Sequence, residues 1–221
     1  MATATATSEE RAADSGEYAE LAAFFDRFAA DDARWRHRNS TYHRLLEQIT
    51  RFQVTPDASV LEIGSGGGDL LAALRPGRGV GVDVSSGMVD EARRRHPHLR
   101  FEVAAGEELD LGETFDYIVL SDLLPYVHDL LALFQRVAAH SHSGTRVIIS
   151  SYSRVWRPII RLAELLRLKP VKPIRNWVSP HDVVNLLELA GFEAVISQTR
   201  VLLPKHVPLL SGFLNGFLAN V

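Results

Sequence analysis

Apolar residues change their period along this chain, and the changes divide it. The opening text MATATATSEERAADSG is small, polar and without period, which predicts a disordered tail over residues 1–16. From Glu17 to Phe52 apolar side chains recur at helical spacing, first Tyr18, Leu21, Phe24, Phe25 and Phe28, then Tyr42, Leu45, Leu46, Ile49 and Phe52. Two or three amphipathic helices are expected, broken near Asp31-Asp32 and Asn39-Ser40, as an N-terminal cap over residues 17–55. From Pro56 short apolar runs alternate with helical patterns. Strands are expected at Ser59–Ile63, Gly79–Val84, Arg100–Val103, Tyr117–Leu120, Arg146–Ser150 and Glu193–Ser197. Helices are expected over Met88–Arg95, Asp129–Ala139 and Pro180–Ala190, with Ser86, Asp129 and Ser179 as caps. Strands alternating with helices imply parallel pairing and a doubly wound α/β sheet over residues 56–221.

Composition narrows the chemistry. Of 221 residues, 46% are hydrophobic and 23% charged, the balance of an ordinary globular protein, and the net charge of −3 gives no general attraction to nucleic acid. The absence of cysteine excludes disulfides, thiolate metal sites and a thiol nucleophile. No apolar run approaches the roughly 18 residues of a membrane span, and the N-terminus has no apolar signal core, so a cytoplasmic protein is expected. His96 with His98, and His140 with His142, have close spacing, but both pairs fall in polar turns; they are read as solvent-facing, and no metal site is expected.

The first strand runs into Gly64-Ser65-Gly66-Gly67-Gly68-Asp69, and Leu70 to Leu74 then opens a helix. Glycines there allow a tight turn and bring a ligand against main-chain N–H groups. A dinucleotide fingerprint starting at Gly64 needs a small residue at position 69, which is Asp69. A carboxylate there is a poor neighbour for a pyrophosphate, and Asp69 serves either as a helix cap or as a ligand contact. The second strand ends at Asp83, 19 residues past Gly64, where its carboxylate can accept from two ribose hydroxyls. The pocket therefore suits an adenosine-like ligand without a diphosphate.

Taken together, LEIGSGGGD, GVDVSSGMV, the EEL at residues 107–109 and FDYIVLSDLL resemble the successive motifs of class I S-adenosylmethionine-dependent methyltransferases over roughly residues 56–200. The resemblance implies a Rossmann-like, mostly parallel seven-stranded sheet, with a last antiparallel strand within Arg200–Lys205. It implies S-adenosylmethionine (SAM) as cofactor and S-adenosylhomocysteine (SAH) as product. By position, Glu62, Gly64, Ser65, Gly66 and Gly68 would hold the methionine part, with Asp69 beside them. Asp83 would hold the ribose, Val84 and Met88 would flank the adenine, Gly106 and Glu107 would lie along its edge, and Ser121 would sit under the methionyl chain. Relatives often carry Asp-Ala-Glu where this chain has Ala105-Gly106-Glu107, so adenine must be read by Glu107 or by a backbone carbonyl.

The loop after the fourth strand faces the crevice at the strands' carboxyl ends, so Tyr126 is expected to orient an acceptor and His128 is a base candidate set against a plain surface role. Residues 152–177 form a basic insertion with Tyr152, Arg154, Trp156, Arg157 and Trp177; Arg154 or Arg157 could clamp an anionic acceptor. The basic face, with the apolar stretch Val207–Val221, also suits a peripheral membrane contact and a lipid-linked acceptor. From the cap, Trp35, Arg36, Tyr42 and His43 could reach the ligand. The expected activity is methyl transfer to oxygen or nitrogen of a small-molecule, natural-product or glycan-type acceptor, with a dimer as one assembly. A nicotinamide-dependent oxidoreductase and a non-catalytic SAM-binding module are the alternatives.

Overall fold

The alternating apolar runs fold as a parallel sheet with helices on both faces. A computed structural model of the chain describes residues 8–29, 40–151, 176 and 178–196. Strands β1 (Ser59–Ile63), β2 (Arg78–Asp83), β3 (Arg100–Val103), β4 (Phe115–Ser121) and β5 (Ser141–Ser150) lie in the order β3-β2-β1-β4-β5, every pair parallel. The order reverses between β1 and β4, and that switch point opens a crevice beyond the strands' carboxyl ends.

Side chains alternate across the sheet, so its two faces feed two cores. Leu61, Ile63, Val80, Val82, Ile118 and Leu120 pack with Leu133, Phe134 and Val137 of α5 (Leu130–Ala139) and with Val183 and Leu186 of α6 (Pro180–Leu189). Val60, Phe101, Tyr117 and Val119 pack on the other face with Leu70, Leu71 and Leu74 of α3 (Asp69–Leu74) and Val89 and Ala92 of α4 (Ser86–Arg95). Tyr42 and Leu46 of α2 (Ser40–Gln53) join this second core, which fixes the cap to the sheet. α1 (Ser8–Ala29) lies across α4.

Several expectations change. The sheet has five strands among the described residues, not seven. Residues 193–196 pair with nothing there, because Val195 and Ile196 are exposed and a strand that buries neither face gains little from pairing. Arg200–Lys205 lie outside the described residues, as do Tyr152, Arg154, Trp156, Arg157, Trp177, Trp35, Arg36 and Val207–Val221. Helix α1 begins at Ser8, inside the expected tail, since Glu9-Glu10-Arg11-Ala12-Ala13 is a run of strong helix formers. The cap of α4 is Ser85 rather than Ser86, its hydroxyl accepting from the Met88 amide at 3.1 Å. Asp129 caps α5 and Ser179 forms a capping box with Asp182, both as expected.

His140 is not solvent-facing. It is buried, its Nδ1 lies 2.7 Å from the Arg136 carbonyl and its Nε2 accepts the Leu111 amide at 2.9 Å, a set that a neutral imidazole satisfies completely. His142 is exposed beside Asp116, and His98 is exposed. No helix among the described residues is long and apolar enough to cross a membrane.

Candidate cofactor and acceptor site

The turn after β1 is built so that main-chain groups meet a ligand. The amides of Gly64 and Ser65 both donate to the Val82 carbonyl, at 2.8 and 2.9 Å, which pins the loop across β2. Gly66 (φ 50°) has no atom within 4 Å of where a Cβ would stand, and it borders a cavity of about 210 Å³. Gly68 (φ 76°) needs its missing side chain for a different reason, since a Cβ there would stand 2.5 Å from the Phe101 ring. Neither Gly68 nor Asp69 lines the cavity, contrary to their expected ligand roles. The Asp69 carboxylate turns instead toward the end of α4, where Arg95 lies at 2.7 Å and His96 at 2.9 Å.

Two acids stand at the strand ends. Glu62 is buried and accepts the Leu71 amide at 3.0 Å, tying β1 to the start of α3. Asp83 accepts the Gly66 amide at 2.9 Å on one oxygen and the Ser85 amide at 2.9 Å on the other. Burial nonetheless pushes the Asp83 carboxyl above its ordinary range, against the lowering effect of those amides. Beside it the Ser65 hydroxyl is buried and has no partner among the described residues. Val84, Met88, Gly106, Glu107 and Ser121 line the same cavity, with Ala104 and Ala105.

Glu107 lines the cavity, and the bonds that its carboxylate accepts all fall on one oxygen, Oε1. Its carboxylate accepts the Tyr18 hydroxyl of α1, the His128 amide at 2.9 Å and the Asp129 amide at 3.3 Å, so it joins the cap to the loop after β4. This also corrects His128: its backbone is consumed by Glu107 and its exposed side chain does not line the cavity, because Asp129 is already turning the chain into α5. Tyr126 does line it, buried and edge-on to Phe25 with ring centroids 5.3 Å apart. Burial, and then the charge of Asp122, raise the Tyr126 phenol far above its ordinary value, so it stays protonated and can donate but not serve as a base.

The cap supplies the roof. Tyr18, Leu21 and Phe25 of α1 and His43, Leu46 and Glu47 of α2 line the cavity. Tyr42 stands behind them, donating to Asp122 at 2.5 Å rather than lining the cavity itself. Tyr42 and His43 were expected near the ligand; Tyr18, Glu47 and Asp122 were not. The helical recurrence of Tyr18, Leu21 and Phe25 was the available signal for the first; Asp122 carried none. No cluster of three or more His, Cys, Asp or Glu suited to a metal occurs among the described residues.

The comparisons agree with this geometry. A family model described as a methyltransferase domain matches residues 25–198. Phosphoethanolamine N-methyltransferase 3 of Arabidopsis thaliana is 30% identical over 166 residues, 70% of this chain and 32% of that protein. Demethylmenaquinone methyltransferase of Beutenbergia cavernae is 28% identical over 163 residues, 63% of this chain and 68% of that protein. The matches to the first three curated relatives span 58%, 46% and 32% of those proteins' lengths. Among solved structures, a SAM-dependent methyltransferase from Thermotoga maritima matches with TM-score 0.69 and 22% identity, covering 85% of this chain and 89% of that one. Magnesium protoporphyrin IX methyltransferase of Synechocystis, with bound SAH, matches with TM-score 0.60 and 18% identity over 80% and 90% of the two chains.

Proposed function

The chain belongs to the SAM-dependent class I methyltransferase family, and from that premise we propose that it methylates an oxygen or nitrogen of a small-molecule acceptor of natural-product or glycan type, seated between the loop after β4 and the N-terminal helices. The observation that carries the reading is the pairing of Asp83 and Gly66 at the cavity wall, with the unpartnered Ser65 hydroxyl beside them. These groups fit an adenosine-bearing ligand: Asp83 accepts the ribose hydroxyls, Gly66 lets the ligand approach the main chain, and Ser65 takes a polar atom that it otherwise lacks.

When bound, SAM supplies a methyl group activated by a sulfonium centre. What the chain must add is alignment and exclusion of water. Glu62 and the Gly64–Gly66 turn would hold the methionyl end, Val84 and Met88 would enclose the adenine, and Ser121 would support the chain between them. Leu21 and Phe25 close the cavity from above, while Tyr126 presents a neutral hydroxyl that orients the acceptor. Outside the described residues, Arg154 and Arg157 follow β5 in sequence, and an acidic group on the acceptor would meet them.

Relatives named for phosphoethanolamine and for quinones, and a structural neighbour named for a porphyrin, favour a small acceptor over a macromolecule. Calorimetry with SAM, SAH and NAD, followed by product mass analysis with candidate acceptors, tests the reading. SAM and SAH are expected to bind and NAD not to; binding of NAD without SAH would overturn it.

A further inference from the structure

The sheet order decides which loop meets the base of an adenosine-bearing ligand. β3 lies outside β2, so a ligand that sets its methionyl end on the turn after β1 and its ribose on Asp83 carries its base toward the end of β3. Residues 104–107 follow β3 and line the cavity. Three of them, Ala104, Ala105 and Gly106, have no polar side-chain group, which leaves Glu107. Two main-chain acceptors of this loop are in use: the Ala105 carbonyl accepts the Glu108 amide at 3.1 Å, and the Glu107 carbonyl accepts Arg136 Nε at 3.1 Å. The other acids that line the cavity stand on β1, at the end of β2, after β4 and on α2, so Glu107 is singled out by its place in the fold.

Among the described residues, Glu107 Oε1 accepts from Tyr18 of α1 and from the His128 and Asp129 amides, which open the way into α5. We propose that the second oxygen, Oε2, accepts the exocyclic amine of adenine, and that the same carboxylate thereby couples recognition of the base to the seating of α1. The inference rests on the methyltransferase reading above and adds what selects the base and what the cap senses. A donor fixed on Oε2 restrains a side chain with several rotatable bonds, so that Oε1 stays aimed at Tyr18. A base with a carbonyl oxygen at that position sets acceptor against acceptor, which weakens binding and leaves Glu107 unrestrained.

The test compares SAH with its deaminated counterpart, S-inosylhomocysteine, on the full chain, by calorimetry and by hydrogen exchange in α1 at saturation with each. SAH is expected to bind at least roughly tenfold more tightly, the scale of a hydrogen bond to a charged group, and to slow exchange in α1 more than the inosine analogue does. Glu107→Gln keeps an oxygen for Tyr18 and the two amides and adds a donor for the carbonyl of the deaminated base. In that variant the preference should fall to near parity or reverse, and the difference in α1 exchange should vanish with it. Equal affinities in the unaltered chain would overturn the proposal. So would a preference undiminished in a Glu107→Gln chain of unchanged circular dichroism, which would make a backbone carbonyl the reader. Equal protection of α1 by the two ligands in the unaltered chain would overturn the coupling. Failure of SAH itself to bind the unaltered chain would instead remove the cofactor reading on which all of this rests.

Discussion

Asp83 is useful because it is held against its own electrostatic preference. Two amides aim its oxygens while burial raises its pKa, so ligand hydroxyls that donate to it relieve an unfavourable charge. Asp83→Asn is therefore expected to weaken SAH roughly 10- to 100-fold in calorimetry, the range of hydrogen bonds to a charged group, with the fold retained by circular dichroism. Unchanged affinity would remove its ribose role. The glycines separate into two kinds by the same reasoning. Gly68→Ala meets both a left-handed backbone, at about 1–2 kcal/mol, and the Phe101 ring, at about 1–3 kcal/mol more, so chemical denaturation should report a large loss of stability. Gly66→Ala meets only the first cost, but its methyl enters the cavity; it should spare most stability and weaken SAH instead. The reverse pattern would mean that the roles of the two glycines are exchanged.

At the scale of elements, α1 is fastened to two loops that border the cavity. Asp26 accepts the Ser85 hydroxyl at 2.6 Å and the Gly87 amide at 2.9 Å at the start of α4, and Tyr18 donates to Glu107 after β3. Asp26→Ala should leave thermal stability within about 1 kcal/mol, as for other exposed polar contacts, yet raise hydrogen exchange in α1 and speed SAH dissociation several-fold. An unchanged dissociation rate would show that α1 does not gate the cavity. These contacts explain what was legible beforehand. Apolar runs at strand period and the glycine turn are local patterns, and they placed all five strands, the crevice, Asp83 and Tyr126. Glu107 and Asp122 owe their partners to residues 80 or more positions away, Tyr18 and Tyr42, and no local period encodes such a pairing. His140 departs from expectation for the same reason: a histidine in a polar turn is buried, its ring bonded by the Leu111 amide from 29 positions away. The expected sixth strand failed because the apolar run Ala194-Val195-Ile196 met no layer to cover it among the described residues.

Across the whole molecule, two carboxylates at opposite poles of the sheet bias stability in opposite directions. At the amino ends of β1 and β4, Asp116 accepts the Ser59 hydroxyl at 2.6 Å and the Ser59 amide at 2.8 Å, and these bonds hold its pKa below the ordinary value. It contributes stability above the usual carboxylate range, and the contribution is lost as pH falls through the lowered pKa; exposure keeps it small. Asp83, at the carboxyl ends, has a raised pKa, so its folded form binds protons that the unfolded chain has released, and stability falls as pH rises through that value. Thermal unfolding of the ligand-free chain from about pH 2 to pH 8 should separate the two, since the Asp116 change falls below the ordinary carboxylate pKa and the Asp83 change above it. The difference between Asp116→Asn and the unaltered chain should be a loss that is largest at neutral pH and shrinks toward acid. The difference for Asp83→Asn should move in the variant's favour as pH rises. Saturating SAH should flatten the Asp83 slope, because ribose hydroxyls stabilise the ionised form, and should leave the Asp116 slope unchanged. Parallel profiles for both variants would contradict the two pKa directions, and a slope at Asp83 indifferent to SAH would place the ribose elsewhere in the cavity.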